Sequence, residues 1–150
     1  MAQSLSNVLL HITFSTKDRR PLIDLDIEKE LHAILAAQCR GCGCPPHRVG
    51  GADDHVHVCC SLSRTTTIAD LVEEIKKRSS RWIKTKGRRY ARFGWQGGYN
   101  CVSIGQSGLE ALKRYIDSQR DHHRKVTFQD ELRGLLTKYR IPFDEDLIWT

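Results

Sequence analysis

The sequence predicts an α+β fold, a four-stranded antiparallel sheet with two helices on one face, and three observations carry it. Alternating apolar residues mark strands at residues 8–15 and 55–62, where successive side chains point to opposite faces. Apolar residues at helical spacing mark helices beginning near Asp24 and at Thr67. The order of elements is strand, helix, strand, strand, helix, strand, the split βαβ arrangement of the ferredoxin-like (RRM-like) fold. A further, C-terminal helix bearing Tyr115 is expected on the face that the first two helices leave free.

In the first strand, VLLHITFS, Val8, Leu10, Ile12 and Phe14 point inward and His11 and Thr13 outward. The turn Lys17-Asp18-Arg19-Arg20-Pro21 ends it. A helix from about Asp24 or Asp26 places Ile27, Leu31, Ile34 and Leu35 on one stripe and stops near Gly41 and Gly43. Pro45-Pro46 bars helix across that point. Residues 47–51 read as a short strand, and Gly50-Gly51-Ala52-Asp53-Asp54 as a hairpin turn. In the next strand Val56, Val58, Cys60 and Leu62 form an apolar face, and His55, His57, Cys59 and Ser61 the other.

Thr67 has the chemistry of an N-cap for a helix bearing Ile68, Leu71, Val72, Ile75 and Ser79. Residues 84–98 form a basic, glycine-containing loop, and residues 99–104 return to strand alternation with Val102 and Ile104 inward. Ser107 and Glu110 have capping-box spacing and open a helix from Leu109 to about His123. Leu109, Leu112 and Ile116 share one stripe of it, and Tyr115 and Gln119, four residues apart, share another face. A last helix over 128–139 carries Leu132, Leu135 and Leu136, and Phe143, Leu147 and Trp149 are expected to anchor the tail. Without repeats or linkers, residues 1–150 read as one domain.

Composition narrows the function classes. No apolar run approaches the roughly 20 residues needed to span a bilayer, and the first residues lack the pattern of a signal peptide, so a cytoplasmic location is expected. Six cysteines in such a chain are expected to be reduced thiols. Cys39, Cys42 and Cys44 followed by His47 leave zinc open, but the spacing is loose and no second cysteine pair follows. The net charge of +6 favours a polyanion partner. From Lys76 to Arg92 the chain reads KKRSSRWIKTKGRRYAR, cations with Trp82 and Tyr90 interleaved. That mixture suits single-stranded nucleic acid, although a solvated helix face and loop would read the same way.

His55 and His57 flank one apolar residue on a strand and therefore sit side by side. They are a metal-site candidate or a polar strand face that carries two histidines by chance. Together with Tyr-x-x-x-Gln at 115–119, HITFSTKDRRPLI in the opening strand, GWQGGYNCVSI before the tyrosine helix and YIDSQRDHH from Tyr115 to His123, they resemble a known family. The chain is similar over nearly its whole length to the single-tyrosine HUH transposases of bacterial insertion sequences (IS200/IS605-like), which include the REP-associated tyrosine transposases. Asn100-Cys101 is a local departure from that pattern.

The resemblance implies that Tyr115 attacks a DNA phosphodiester, leaving a 5′-phosphotyrosine link and a free 3′-hydroxyl. It implies that His55, His57 and Gln119 hold a divalent cation, Mg²⁺ or Mn²⁺. It also implies substrates of single-stranded DNA with hairpin ends, and a homodimer in which the tyrosine helix of one subunit completes the site of the other. Gly105 and Gly108 would permit such a swing. On charge rather than motif, Lys84, Lys86, Arg88, Arg89 and Arg92 are the expected DNA contacts, and His122 and His123 are expected to pack or cap near a helix end. The chemistry is coherent: a phenol with pKa near 10 gains from a cation that draws charge off the phosphate, and a covalent ester keeps the bond energy for rejoining. A relaxase would supply a third histidine from a longer motif. A non-catalytic single-strand-binding domain would leave His55, His57, Tyr115 and Gln119 together unexplained.

Overall fold

The computed structural model describes residues 2–150. Strands β1 (Leu9–Ser15), β2 (Pro46–Gly51), β3 (His55–Ser61) and β4 (Asn100–Ile104) form one antiparallel sheet in the order β2-β3-β1-β4. Two long helices, α1 (Leu25–Gly41) and α2 (Ile68–Lys84), cover one face. There Leu10, Ile12 and Phe14 of β1 and Val56, Val58 and Cys60 of β3 meet Ile27, Leu31 and Leu35 of α1 and Leu71, Val72 and Ile75 of α2. Each helix starts where a side chain satisfies its first amides. Asp24 accepts from the amides of Asp26 and Ile27, and Thr67 from that of Asp70.

The second face is covered as well. Helices α3 (Leu109–Asp117), α4 (Gln119–His122) and α5 (Phe128–Lys138) follow β4. Leu109, Leu112, Tyr115 and Ile116 of α3 pack on Leu9, Cys59 and Ile104. The approach is close because β2 offers Gly50: a Cβ there would stand 2.6 Å from Ile116 Cγ2 and 2.7 Å from its carbonyl oxygen.

Coverage of both faces explains one difference from the sequence reading. Val102 lies opposite His11 and Ile104 opposite Leu9, so both point toward α3, while Cys101, opposite Ile12, points toward α1 and α2. The expected capping box does not form. Residues Gln106–Gly108 wind into a 3-10 turn, no side chain caps α3, and Glu110 pairs with Lys113 at 3.2 Å. The expected helix to His123 also breaks at Ser118, after which Arg120 ties α4 to Glu28, Asp53 and the Ile23 carbonyl.

In the tail, Ile141, Ile148 and Trp149 pack on Phe128, Leu132 and Leu136, whereas Phe143 and Leu147 are exposed. A helical turn accepted by the Asp144 carbonyl swings Ile148 inward in place of Leu147. Trp149 lies between the guanidiniums of Arg19 and Arg133. No helix of the described residues is long and apolar enough to cross a membrane. Among the described residues no three-ligand cluster includes Cys39, Cys42, Cys44 or His47; His47 bonds Ser61 Oγ at 2.7 Å instead.

Candidate active site

The pleat of β3 turns His55 and His57 away from α1 and α2, and the register sets them beside Ser15 and Thr13 of β1. Both rings are fully buried. His55 Nδ1 lies 2.7 Å from Asp54 Oδ1, and a carboxylate only accepts, so Nδ1 carries the proton and Nε2 points inward. His57 Nδ1 lies 2.7 Å from Nε2 of His11, itself buried, and its Nε2 also points inward. Helix α4 adds Gln119, whose Oε1 stands 2.9 Å from His55 Nε2.

The centre of the cluster is a residue that the sequence reading did not single out. Glu131 of α5 lies with its side chain 5% exposed. Its Oε1 stands 3.0 Å from His57 Nε2 and 3.5 Å from His55 Nε2. Its Oε2 accepts from the Tyr115 hydroxyl and, at 3.0 Å, from Gln119 Nε2, with His123 Nε2 at 3.2 Å and His122 Nε2 at 3.4 Å. Ligand atoms of His55, His57 and Glu131 lie within 4.8 Å of one another, and those of His122, His123 and Glu131 do likewise. The sequence did hold a signal. Glu131 follows Phe128 by three residues and precedes Leu135 by four, so it occupies the apolar stripe of α5, where a carboxylate needs partners.

The electrostatics follow from this packing. Burial pushes Glu131 up, but hydrogen bonds to His123, His57 and Tyr115 win and hold its carboxyl far below the usual range. Burial and then the Glu131 charge raise the Tyr115 phenol above its ordinary value. Burial lowers His57 against the pull of Glu131, and burial with His57 lowers His11 to about 3. His123 is raised: burial opposes its charge, but Glu131 outweighs it and Nδ1 donates to the Val126 carbonyl at 2.7 Å. His122 and His123 therefore face the cluster rather than simply capping a helix.

Residues 4–119 match the family model described as Transposase IS200 like. The chain belongs to the IS200-like transposase family. A proposed transposase from Deinococcus radiodurans R1 has a similar fold, with a TM-score of 0.63 and 18% identity over 80% of this chain and 96% of that one. A REP-associated tyrosine transposase solved bound to a REP hairpin has a TM-score of 0.61 and 18% identity, over 90% of this chain and 86% of that one. Among curated proteins none matches the chain.

Within this transposase, Tyr115, Gln119, His55 and His57 are thus brought together, and within a single chain. The expected DNA contacts lie elsewhere. Lys86 pairs with Glu30 at 3.1 Å and Arg89 with Asp24 at 2.7 Å, both on the α1 side of the sheet, opposite the histidines. Lys84, Arg88 and Arg92 are exposed without an ion pair among the described residues. Tyr90 is not available for stacking on a base. It is buried in the core and donates to Asp24 Oδ2 at 2.7 Å. A cleft of about 660 Å³ opens beside Tyr115 and Glu131, walled by Ser103, Ala111, Gly134 and Lys138.

Proposed function

We propose that this transposase cuts and rejoins single-stranded DNA through a covalent link to Tyr115, at a divalent-cation site made by His55, His57 and Glu131 with Gln119 beside them. One observation carries the reading. A single buried carboxylate faces both histidines with one oxygen and the tyrosine hydroxyl with the other. The donor set fits a cation, because His55 Nε2, Gln119 Oε1 and Glu131 Oε1 are acceptors converging on one point. Imidazole nitrogens with a carboxylate oxygen are of intermediate softness and suit Mn²⁺ as well as Mg²⁺. A bound cation would supply charge that draws electrons from the scissile phosphate.

The chain's own residues do the rest. Tyr115 Oη bonds to phosphorus as the P–O3′ bond breaks, and its proton leaves along the hydrogen bond to Glu131 Oε2, which is too acidic to keep it and relays it to water in the cleft. The departing 3′ oxygen takes a proton from that water. Rejoining is the reverse: a 3′-hydroxyl attacks the phosphotyrosine and gives up its proton to water, and Tyr115 recovers a proton by the same relay through Glu131. Gln119 Nε2 and His123 hold Oε2 in place. Before DNA arrives, burial and the Glu131 charge keep the phenol protonated. The cleft walled by Ser103, Ala111, Gly134 and Lys138 gives an unpaired strand a path to Tyr115. DNA with hairpin ends is the substrate class this reading favours, with Lys84, Arg88 and Arg92 free to meet phosphates. Because Tyr115 already reaches the histidines of its own chain, a dimer that exchanges α3 is not needed to assemble the site.

The test is a covalent adduct. Labelled single strands from the flanks of the gene, incubated with Mn²⁺, should give a protein–DNA species stable to denaturant. It should be absent without metal, in Tyr115→Phe and in His55→Ala. An adduct formed by Tyr115→Phe refutes the nucleophile, and binding without any adduct favours a non-catalytic single-strand-binding role.

A further inference from the structure

The two inward histidines are braced by different chemistry. Asp54 can only accept, so His55 keeps its proton on Nδ1 and its lone pair on Nε2 whatever stands in front of it. Behind His57 stands another imidazole, and an imidazole nitrogen can either donate or accept. His57 Nε2 lies 3.0 Å from Glu131 Oε1, an acceptor, so in this state His57 carries its proton on Nε2. Its Nδ1 must then accept from His11 Nε2, 2.7 Å away. A cation in front of His57 would require the opposite: a lone pair on Nε2, a proton on Nδ1, and an accepting His11 Nε2. Thr13 Oγ1, 3.4 Å from His11 Nε2 and 3.3 Å from His57 Nδ1, is a hydroxyl that also suits both directions.

We propose that His11 is the positioning residue for His57, and that the reversible hydrogen bond between them lets His57 serve Glu131 as a donor in one state and a divalent cation as a ligand in the other. The protons balance. His57 gives up the one on Nε2 to cleft solvent by way of Glu131 Oε1, and gains one on Nδ1 from His11 Nε2. His11 takes a replacement on Nδ1, and because His11 lines the cleft beside Tyr115, that proton can come from solvent. The role as a ligand's partner rests on the cation site proposed above, whereas the direction of the bond in the cation-free protein does not.

The experiment reads the imidazole protons directly, by long-range proton–nitrogen correlation with and without Mg²⁺, and Mn²⁺ affinity by calorimetry. In the wild type His11 and His57 should both carry protons on Nε2 without cation, and His57 should move its proton to Nδ1 when Mg²⁺ is added. His11→Leu should bind Mn²⁺ about 10–100-fold more weakly, the range for losing a partner behind a ligand. His11→Gln, whose amide can donate or accept, should recover most of that loss, which a space-filling role for His11 would not produce. Wild-type Mn²⁺ affinity in His11→Leu overturns the proposal, as does a cation-free His11 whose proton sits on Nδ1. Should the wild type bind neither cation, the metal site of the proposed function fails, and the cation-free spectra alone decide the role of His11. Should His11→Leu not fold, His11→Gln and the wild-type spectra decide it.

Discussion

Glu131 is the residue whose removal separates charge from shape. Glu131→Gln keeps the size and can still meet Tyr115 and Gln119, but it loses the negative charge that six neighbours share. Mn²⁺ affinity measured by calorimetry should fall by more than the about 10–100-fold expected for a residue behind the ligands. The Tyr115 phenol should titrate lower than in the wild type, because burial remains but the adjacent charge is gone. An unchanged affinity would remove Glu131 from the ligand set. Asp24 makes a second residue-scale prediction, away from the site. Burial pushes its carboxyl up, yet the Tyr90 hydroxyl, Arg89 and two backbone amides together hold it below its ordinary value. A carboxyl depressed in the folded state contributes stability that is complete above its unfolded pKa of about 3.9 and is lost as pH falls through the folded value. Asp24→Ala should cost about 1 kcal/mol as a lost cap, read by denaturant unfolding at neutral pH. Asp24→Asn keeps the cap and removes the charge, so its deficit should be visible at pH 7 and should close in acid. A deficit that persists in acid would place the effect outside the ionised carboxylate.

At the scale of elements, α3 is held where its tyrosine is useful by one glycine. Gly50→Ala would drive a Cβ into Ile116, and beside its methyl at 2.6 Å stands its backbone oxygen at 2.7 Å, which cannot rotate aside. Overpacking of this kind costs about 1–3 kcal/mol, and lifting α3 should also reduce adduct formation by Tyr115. Normal adduct yield in a destabilised Gly50→Ala protein would show that the site tolerates a displaced helix. The same region shows how much of the fold the sequence carried. Strands β1 and β3 and helices α1 and α2 were legible because each has one apolar and one polar face, and Asp24 and Thr67 mark their starts with cap chemistry. The phase of β4 was not: Val102 and Ile104 mark one apolar side, but both faces of the sheet are covered, so alternation alone does not say which layer that side meets. Nor was the break at Ser118, which rests on long-range bonds of Arg120 to Glu28 and Asp53. His55, His57, Tyr115 and Gln119 could be found by motif. Glu131 lies beyond the residues that match the family model, and only its misfit on an apolar helix stripe pointed inward.

At the scale of the whole molecule the sheet divides its charge between two sides. Lys84, Arg88 and Arg92 project from the side of α1 and α2, whereas Arg114 and Lys138 belong to the side of Tyr115 and its cleft. A short unpaired strand that only fills the cleft cannot reach the far loop, but a longer DNA with a folded end can wrap the edge of the sheet. Each phosphate contact with a duplex contributes about 0.9 to the slope of log affinity against log salt. Replacing Lys84, Arg88 and Arg92 together by Gln should therefore lower that slope by about 2.7 for hairpin-ended DNA, if each meets one phosphate of the folded end. The slope for a short unpaired oligonucleotide should not change. Replacing Arg114 and Lys138 by Gln should weaken both ligands alike. Fluorescence titrations across a salt series distinguish the cases. If the short oligonucleotide responds to the loop substitutions, the strand runs over the helical layer and the cleft is not its path.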